Sequence, residues 1–187
     1  MTSKRQPGWG ARVARWGLLV GTLAVLPAHA RAVSGVRMPD AISLQGQQLG
    51  LEQMDIKRRL IFDVYVWGLY LEGRPASTDE ARAFQGPKQL RMRFKRDVTQ
   101  AQLASAFRDF LSRSPALRSP EMRRLTESLV GSLRAVRKGD SLLISYLPGE
   151  GLRVTGEASE GLSLPDKAFA DALFGAWLTS NPISGRD

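Results

Sequence analysis

The sequence predicts an α+β domain in which helices lie on one face of an antiparallel sheet. Three observations support this fold class: a β-branched and aromatic stretch over residues 56–71, two helical patterns between residues 99 and 138, and a return to short strands before a last helix. Strands and helices that are segregated along the chain in this way are typical of α+β domains. The 187 residues suit one domain, and 43% hydrophobic with 24% charged residues excludes wholesale disorder.

Residues 1–32 are predicted to be a secretory signal peptide. Basic residues precede an apolar run of ten residues, Gly17–Leu26. A membrane-spanning helix needs about 20 residues, so this run is too short. Pro27 ends the run, and small residues at Ala30 and Ala32 mark a cleavage site after Ala32. An uncleaved anchor or a disordered basic arm is the alternative. We therefore expect a periplasmic or secreted protein whose domain comprises residues 33–187.

Removing this segment limits the chemistry that the chain can carry. The segment holds five basic residues, no acid and the single histidine, His29, so the net charge falls from +9 to +4. The chain also has no cysteine. Disulfides, thiolate metal sites and catalytic triads with histidine are thereby excluded from residues 33–187. No phosphate-binding glycine loop or metal-ligand motif is present either, so we expect no cofactor and no metal.

Strand patterns dominate the first half of the domain. Ile42–Gly46 and Leu49–Leu51 predict a short hairpin. The stretch Ile56–Leu71, IKRRLIFDVYVWGLYL, contains no proline and predicts one strand. Beyond Leu60 both of its alternating sets are apolar, so this strand should lie inside the sheet with both faces covered. Gly68 within it indicates a bulge or a close approach of another segment.

The stretch Gln89–Lys95 alternates strictly between apolar and polar residues. It predicts a strand with its apolar side on the core. The polar side carries Gln89, Arg91, Arg93 and Lys95. This basic face is either solvated or a cationic lining for an acidic ligand group.

Asp63 interrupts the apolar stretch. By period-two alternation it shares a face with Tyr65 and Trp67, and a buried carboxylate there requires a cationic partner. We expect that partner to be Arg91 or Arg93, if the two strands are neighbours.

Helix signals follow. Thr99 and Gln102 form a capping box that opens a helix to about Ser112. Ser119-Pro120 opens a second helix, whose apolar stripe continues to Leu133 and Val136, with Lys138-Gly139 ending it. The remaining predicted elements are a strand at Ser141–Leu147, short strands at Leu152–Thr155 and Gly161–Leu164, and a final helix from Pro165.

Several segments also resemble a known family. They are FDVYVWGLYLE at Phe62–Glu72, MRFKRDVTQAQLASAF at Met92–Phe107, RKGDSLLISYLPGEG from Arg137, and LPDKAFADALFGAWLTSNPIS from Leu164. In this order they resemble the bacterial secreted branch of the chalcone isomerase superfamily, over about residues 36–184. The resemblance implies a chalcone-isomerase-like open-faced β-sandwich, with helices packed on one face of a large antiparallel sheet and a hydrophobic cleft between them.

The resemblance implies two possible activities. The plant enzymes cyclise chalcones to flavanones with an arginine, threonines and a tyrosine. Two of the threonine positions correspond to Tyr65 and Ala176 here, the region of the catalytic tyrosine has no counterpart, and the family arginine falls within Lys57–Arg59, most simply at Lys57. Other members bind fatty acids, with a basic residue and a tyrosine holding the carboxylate. The differences from the enzymes favour binding.

The sequence thus predicts a non-catalytic binder of a fatty acid or similar amphipathic carboxylate. Its polar end is expected to be Lys57 or Arg59 with Tyr65, or alternatively Arg91 and Arg93. Its apolar walls are expected among Val64, Val66, Trp67, Leu69, Met92, Phe94, Phe107 and Trp177.

Three other interpretations stay open. In the first, the apolar residues are core and leave no cleft. In the second, the protein is an isomerase or intramolecular lyase of a phenolic or conjugated substrate, with Tyr65 stabilising an enolate. In the third, it is a cell-envelope interaction protein whose basic surface touches anionic lipid or a partner. Nucleic-acid binding is not expected, because no recognition motif is present.

Overall fold

The computed structural model describes residues 30–183, in which a curled antiparallel sheet carries helices on one face. The strands are β1 (Ala30–Val33), β2 (Val36–Pro39), β3 (Ala41–Leu44), β4 (Gln47–Arg59), β5 (Phe62–Leu71), β6 (Lys88–Phe94), β7 (Ser141–Leu147), β8 (Gly151–Thr155) and β9 (Leu162–Leu164). The helices are α1 (Thr78–Ala83), α2 (Gln100–Ser112), α3 (Pro120–Gly131) and α4 (Lys167–Ser180), with a 3-10 turn at Pro115–Leu117. No helix within this range is long and apolar enough to cross a membrane.

The main sheet has seven strands in the order in which they occur along the chain, from β3 to β9, and all neighbours are antiparallel. β1 and β2 form a separate hairpin. The predicted α+β fold class, with an antiparallel sheet and helices on one face, is confirmed.

The sheet has an apolar core on each face. The larger core lies under the helices and takes Trp67, Leu69 and Leu71 from β5. The smaller core lies under the β1–β2 hairpin and takes Val66 and Tyr70 from the same strand. β5 is therefore an interior strand covered on both faces, as its two apolar sets predicted.

Gly68 lies where the hairpin presses on β5. A Cβ atom at this position would lie 2.7 Å from the Met38 sulfur and 2.9 Å from Leu51 Cδ1. The predicted close approach is present, and only a residue without a side chain leaves room for it.

The prediction of one strand over Ile56–Leu71 is wrong, because the chain reverses at Leu60 and Ile61 between β4 and β5. Leu60 adopts a φ of +55°, in the left-handed region that glycine and asparagine usually occupy at turns. The stretch has no such turn residue at this point, so its composition gave no sign of the reversal.

A second difference concerns Asp63. Lys57 pairs with Tyr65, whereas Arg58 pairs with Asp63, so Val64 is an extra residue in a β-bulge. The bulge breaks the alternation: Tyr65 packs against the helix-side core, while Asp63 meets Ser34 of the hairpin turn. Its cationic partners are Arg58 and Lys95, at 3.0 and 2.9 Å. The expected pairing with Arg91 or Arg93 is wrong.

The helix ends also differ from prediction. The capping box of Thr99 and Gln102 is present and α2 ends at Ser112. α3 ends at Gly131, because the backbone beyond it pairs elsewhere: Arg134 donates to Ala158, and Val136 exchanges two hydrogen bonds with Val98. The predicted apolar stripe beyond Gly131 is buried, but in irregular chain.

The first and last helices also differ from the predictions. α1 was not predicted. α4 begins after Asp166, which caps it, rather than at Pro165. The predicted signal peptide lies outside the described residues except for Ala30–Ala32, which belong to β1.

Candidate ligand-binding site

A cavity of about 650 Å³ lies between the sheet and the helices. Its walls come from the turn end of β4 and β5, from β6 and the loop after it, from α2, and from the C-terminal turn of α4. This volume is within the range of about 300–1,000 Å³ usual for small-ligand sites. The interpretation in which the apolar residues fill the core completely is therefore wrong.

The inner walls of the cavity are aromatic and apolar. Trp67 and Trp177 meet edge to face with ring centroids 5.1 Å apart, and Phe110 meets Trp177 in the same way at 5.6 Å. Such edge-to-face contacts add to the stability given by burial and keep the rings in place. The buried lining consists of Trp67, Met92, Phe94, Leu103, Phe107 and Trp177.

The rim of the cavity is polar and mainly basic. Five of the lining residues are cationic and two are carboxylic acids, Asp97 and Asp109. Arg58 is paired with Asp63, but within residues 30–183 the other four cations form no ion pair. We call these four residues the rim cations: Lys57, Arg59, Arg96 and Arg113.

Tyr65 stands between the basic rim and the aromatic walls. It lies directly across from Lys57 on β4 and from Phe94 on β6, and its ring meets that of Phe94 at 5.7 Å. Residues directly opposite in an antiparallel pair project to the same face, so Lys57 and Tyr65 are neighbours. Burial raises the pKa of Tyr65 to about 12, so at neutral pH its hydroxyl is protonated and can donate a hydrogen bond.

Two polar groups near the walls lack a partner among the described residues. No hydrogen bond joins the Tyr65 hydroxyl to another residue within 30–183, and the indole Nε1 of Trp177 is buried without an acceptor. A buried indole N–H normally has an acceptor. Both groups are donors, and the rim cations are donors too, so the lining favours an acceptor-rich group such as a carboxylate.

Most of the predicted site residues are brought together. Lys57, Arg59, Tyr65, Trp67, Phe94, Phe107 and Trp177 line the cavity. Of the other expected wall residues, Val64 and Met92 line it, whereas Val66 and Leu69 are core.

Arg91 and Arg93 lie elsewhere, because they point to the opposite side of β6 from Met92 and Phe94. Arg91 stacks over the Tyr70 ring at 5.8 Å, and Arg93 donates to the Ser141 hydroxyl at 2.9 Å. Both line a separate hollow beside the β1–β2 hairpin. The alternative polar end made of these two arginines is therefore not part of this cavity.

The sequence reasoning missed part of the rim. Arg96 follows β6, and Arg113 follows α2, in segments that look like ordinary solvated surface. Phe110 of α2 also lines the cavity, although it was not among the expected wall residues. The alternation of β6 and the capping box of α2 could have indicated that the loop between them, including Arg96, ends beside Tyr65.

Comparison with known proteins agrees with this geometry. Residues 30–186 match the family described as chalcone isomerase-like. Among solved structures, a fatty-acid binding protein of Arabidopsis thaliana is similar, with a TM-score of 0.62 and 13% identity over 83% of this chain and 92% of that one. No curated protein sequence matches. The sheet order, the helices on one face and the family match lead to one conclusion: the chain belongs to the chalcone isomerase-like family.

Proposed function

We propose that the protein binds a fatty acid or a similar amphipathic carboxylate without transforming it. The observation that carries this proposal is an apolar cavity whose rim holds four cations without a carboxylate partner within residues 30–183. A ligand with an acidic head and an apolar tail complements both regions. The similarity to a protein named for fatty-acid binding supports the choice of ligand.

The geometry suggests how the ligand lies. Its carboxylate accepts hydrogen bonds from Lys57 or Arg59 and from the Tyr65 hydroxyl, beside which Lys57 is placed by strand register. Its tail extends between Phe94 and Phe107 towards Trp177. Hydrogen bonds to charged groups are worth about 1.5–3 kcal/mol, and the buried tail supplies the rest of the affinity.

Titration with the fluorescent fatty acid cis-parinaric acid tests the polar end. Lys57→Ala with Arg59→Ala should weaken binding by about tenfold or more. Arg123→Ala with Arg124→Ala removes the same charge from α3, which does not line the cavity, and should leave affinity unchanged. Equal losses from both pairs would show that the rim cations play no specific part.

The apolar end is tested by filling the cavity. Both Ala106 and Ser105 are exposed on α2, but only Ala106 lines the cavity. Ala106→Trp should narrow the cavity and weaken binding, whereas Ser105→Trp should leave affinity unchanged. If the unmodified protein shows no saturable binding and no lipid is found by mass spectrometry of the purified protein, the proposal fails.

A second candidate function rests on Tyr65. Its protonated hydroxyl beside Lys57 can donate to a developing enolate, as an isomerase of phenolic substrates requires. Cyclisation of naringenin chalcone above the uncatalysed rate, lost in Tyr65→Phe, would favour this candidate. We expect no acceleration.

We also propose that the protein acts in the periplasm or outside the cell. The support is the pattern of residues 1–32, which lie almost entirely outside the described part of the chain. N-terminal sequencing of the protein recovered from a periplasmic fraction tests it. A sequence beginning after Ala32 is expected, and one beginning at Met1 would contradict it.

A further inference from the structure

The turn between β4 and β5 has an unusual surface. Within residues 30–183, the exposed large hydrophobic side chains are those of Leu60, Ile61 and Phe62, at 89, 86 and 51% exposure. They are consecutive at the tip of a hairpin, and we call them the apolar tip. Apolar side chains clustered on a soluble surface usually mark an interaction site.

Cations surround the apolar tip. Lys57–Arg59 precede it along β4, and the Arg96 guanidinium stacks on the Phe62 ring at 4.8 Å. Lys57, Arg59 and Arg96 are rim cations with no ion pair to any described residue. The same turn also forms part of the cavity, because Leu60 and Phe62 line it.

We propose that the apolar tip inserts into the surface of an anionic lipid bilayer and holds the cavity rim against it. This inference rests on the proposed function in one respect: the docked tip supplies a route by which the bound amphipathic carboxylate passes between the bilayer and the cavity. It goes beyond that function in naming a partner and the surface that contacts it.

The chemistry of the tip fits a bilayer. Apolar side chains that enter the acyl region, flanked by cations at the level of anionic headgroups, form the pattern of interfacial membrane binding. Long Lys and Arg side chains can keep their charge at the headgroups while their stems follow the apolar tip inward. The lining of the cavity beside the tip holds five cationic side chains and two carboxylates, Asp97 and Asp109, so its net charge complements an anionic surface.

Site-specific labelling tests insertion directly. The chain has no cysteine, so Ile61→Cys accepts a single environment-sensitive nitrobenzoxadiazole label. Pro148→Cys serves as the control, because strand register places the β7–β8 turn at the opposite end of the sheet from the apolar tip. With phosphatidylcholine–phosphatidylglycerol vesicles, we expect a blue shift and brighter emission at position 61 and no change at position 148. No change at position 61, or an equal change at both positions, would overturn the proposal.

Vesicle flotation with unlabelled full-length protein tests the contributions of the residues. Ile61→Asp should reduce vesicle binding by about tenfold or more. Lys57→Ser with Arg59→Ser should reduce it more than the charge-matched Arg123→Ser with Arg124→Ser. All forms share residues 1–29, so any membrane contact of that segment is common to them. Flotation of every variant like the unmodified protein would overturn the proposal.

The two proposals can fail separately. Ile61 does not line the cavity, so Ile61→Asp should retain cis-parinaric acid binding in vesicle-free solution. A protein that inserts its tip but binds no fatty acid refutes only the proposed function, and the reverse result refutes only membrane docking. An emission change at position 61 that depends on protein concentration without vesicles would assign the tip to self-association and overturn docking.

Discussion

Asp63 links the hairpin turn to the sheet. It accepts hydrogen bonds from the Ser34 hydroxyl, from Lys95 and from Arg58, and these hold the pKa of its carboxyl well below the usual value. A carboxylate with a lowered folded pKa stabilises the protein above its unfolded pKa of about 3.9, and that stabilisation is lost as the pH falls below it.

Asp63→Asn should therefore lower the melting temperature at pH 7, and the difference from the unmodified protein should shrink as the pH falls below about 4. Asp79→Asn, which removes a carboxylate 90% exposed in its pair with Arg82, should change little at either pH. Thermal melts at the two pH values measure this. A pH-independent difference for Asp63→Asn would show that its hydrogen bonds, and not its charge, matter.

Replacing Gly68 tests the close approach of the β1–β2 hairpin to β5. Gly68→Ala should lower the free energy of unfolding by about 1–3 kcal/mol, because the new methyl group overlaps the Met38 sulfur and Leu51. Gly131→Ala at the end of α3 meets nothing within 4 Å and should be neutral or slightly stabilising.

Met38→Ala provides the critical test of that explanation. It opens space at the point of overlap, so Gly68→Ala should be less destabilising in the Met38→Ala background than alone. Denaturant unfolding of the double-mutant cycle measures the coupling. Additive effects would show that the penalty arises elsewhere.

These two residues show what single-residue reasoning could predict. Gly68 stood out because glycine is costly inside a strand, so its presence there required a reason. Asp63 stood out as well, but its partners depended on a bulge at Val64, and nothing in the local sequence distinguishes a bulged valine from a regular one.

At the scale of elements, α2 connects the stability of the fold to the cavity. Thr99 and Gln102 satisfy the backbone at its N-terminus, and the helix then supplies Leu103, Phe107 and Phe110 to the walls. Thr99→Ala should lower stability by about 0.5–2 kcal/mol and also weaken fatty-acid binding.

Ser119→Ala removes the N-terminal cap of α3. The Ser119 hydroxyl accepts a backbone hydrogen bond as the Thr99 hydroxyl does, but α3 does not line the cavity. The substitution should lower stability by a similar amount and leave affinity unchanged. Parallel unfolding and cis-parinaric acid titrations compare the two. Equal effects of both substitutions on affinity would show that α2 has no special role in the cavity.

Element starts were predictable where a polar side chain caps the backbone, as at Thr99 and Ser119. The residues at which elements end were less predictable. α3 stops where its backbone finds partners on distant loops, and these partners are defined only by tertiary structure. The β4–β5 reversal was missed because Leu60 adopts a turn conformation that leucine rarely takes.

For the whole molecule, ligand binding should raise stability, because a ligand that binds only the folded chain adds its binding free energy. At a ligand concentration one hundred times Kd the gain is about 2.7 kcal/mol, which should appear as a higher melting temperature with oleate. The Lys57→Ala, Arg59→Ala protein should show a smaller shift at the same oleate concentration, whereas equal shifts would indicate binding outside the cavity.

The walls of the cavity could be predicted from the sequence, but its rim could be predicted only in part. Its walls belong to periodic apolar patterns, which are local signals. Its rim gathers cations from β4, from the loop after β6 and from the end of α2. Apart from the alternation of β6 and the capping box of α2, which bracket the loop that holds Arg96, nothing in the local sequence marks these cations as neighbours. The curl of the sheet brings them together.

The strictly sequential strand order has a consequence for how the chain folds. Every pair of neighbouring strands in the main sheet is also consecutive along the chain, so most pairings close short connections. The longest connection is residues 95–140, which separate β6 from β7 and include α2 and α3. Closing this segment carries the largest loss of chain entropy, so we expect the β6–β7 pairing to limit the folding rate. Substitutions such as Ile144→Val in β7 should then slow refolding more than they accelerate unfolding.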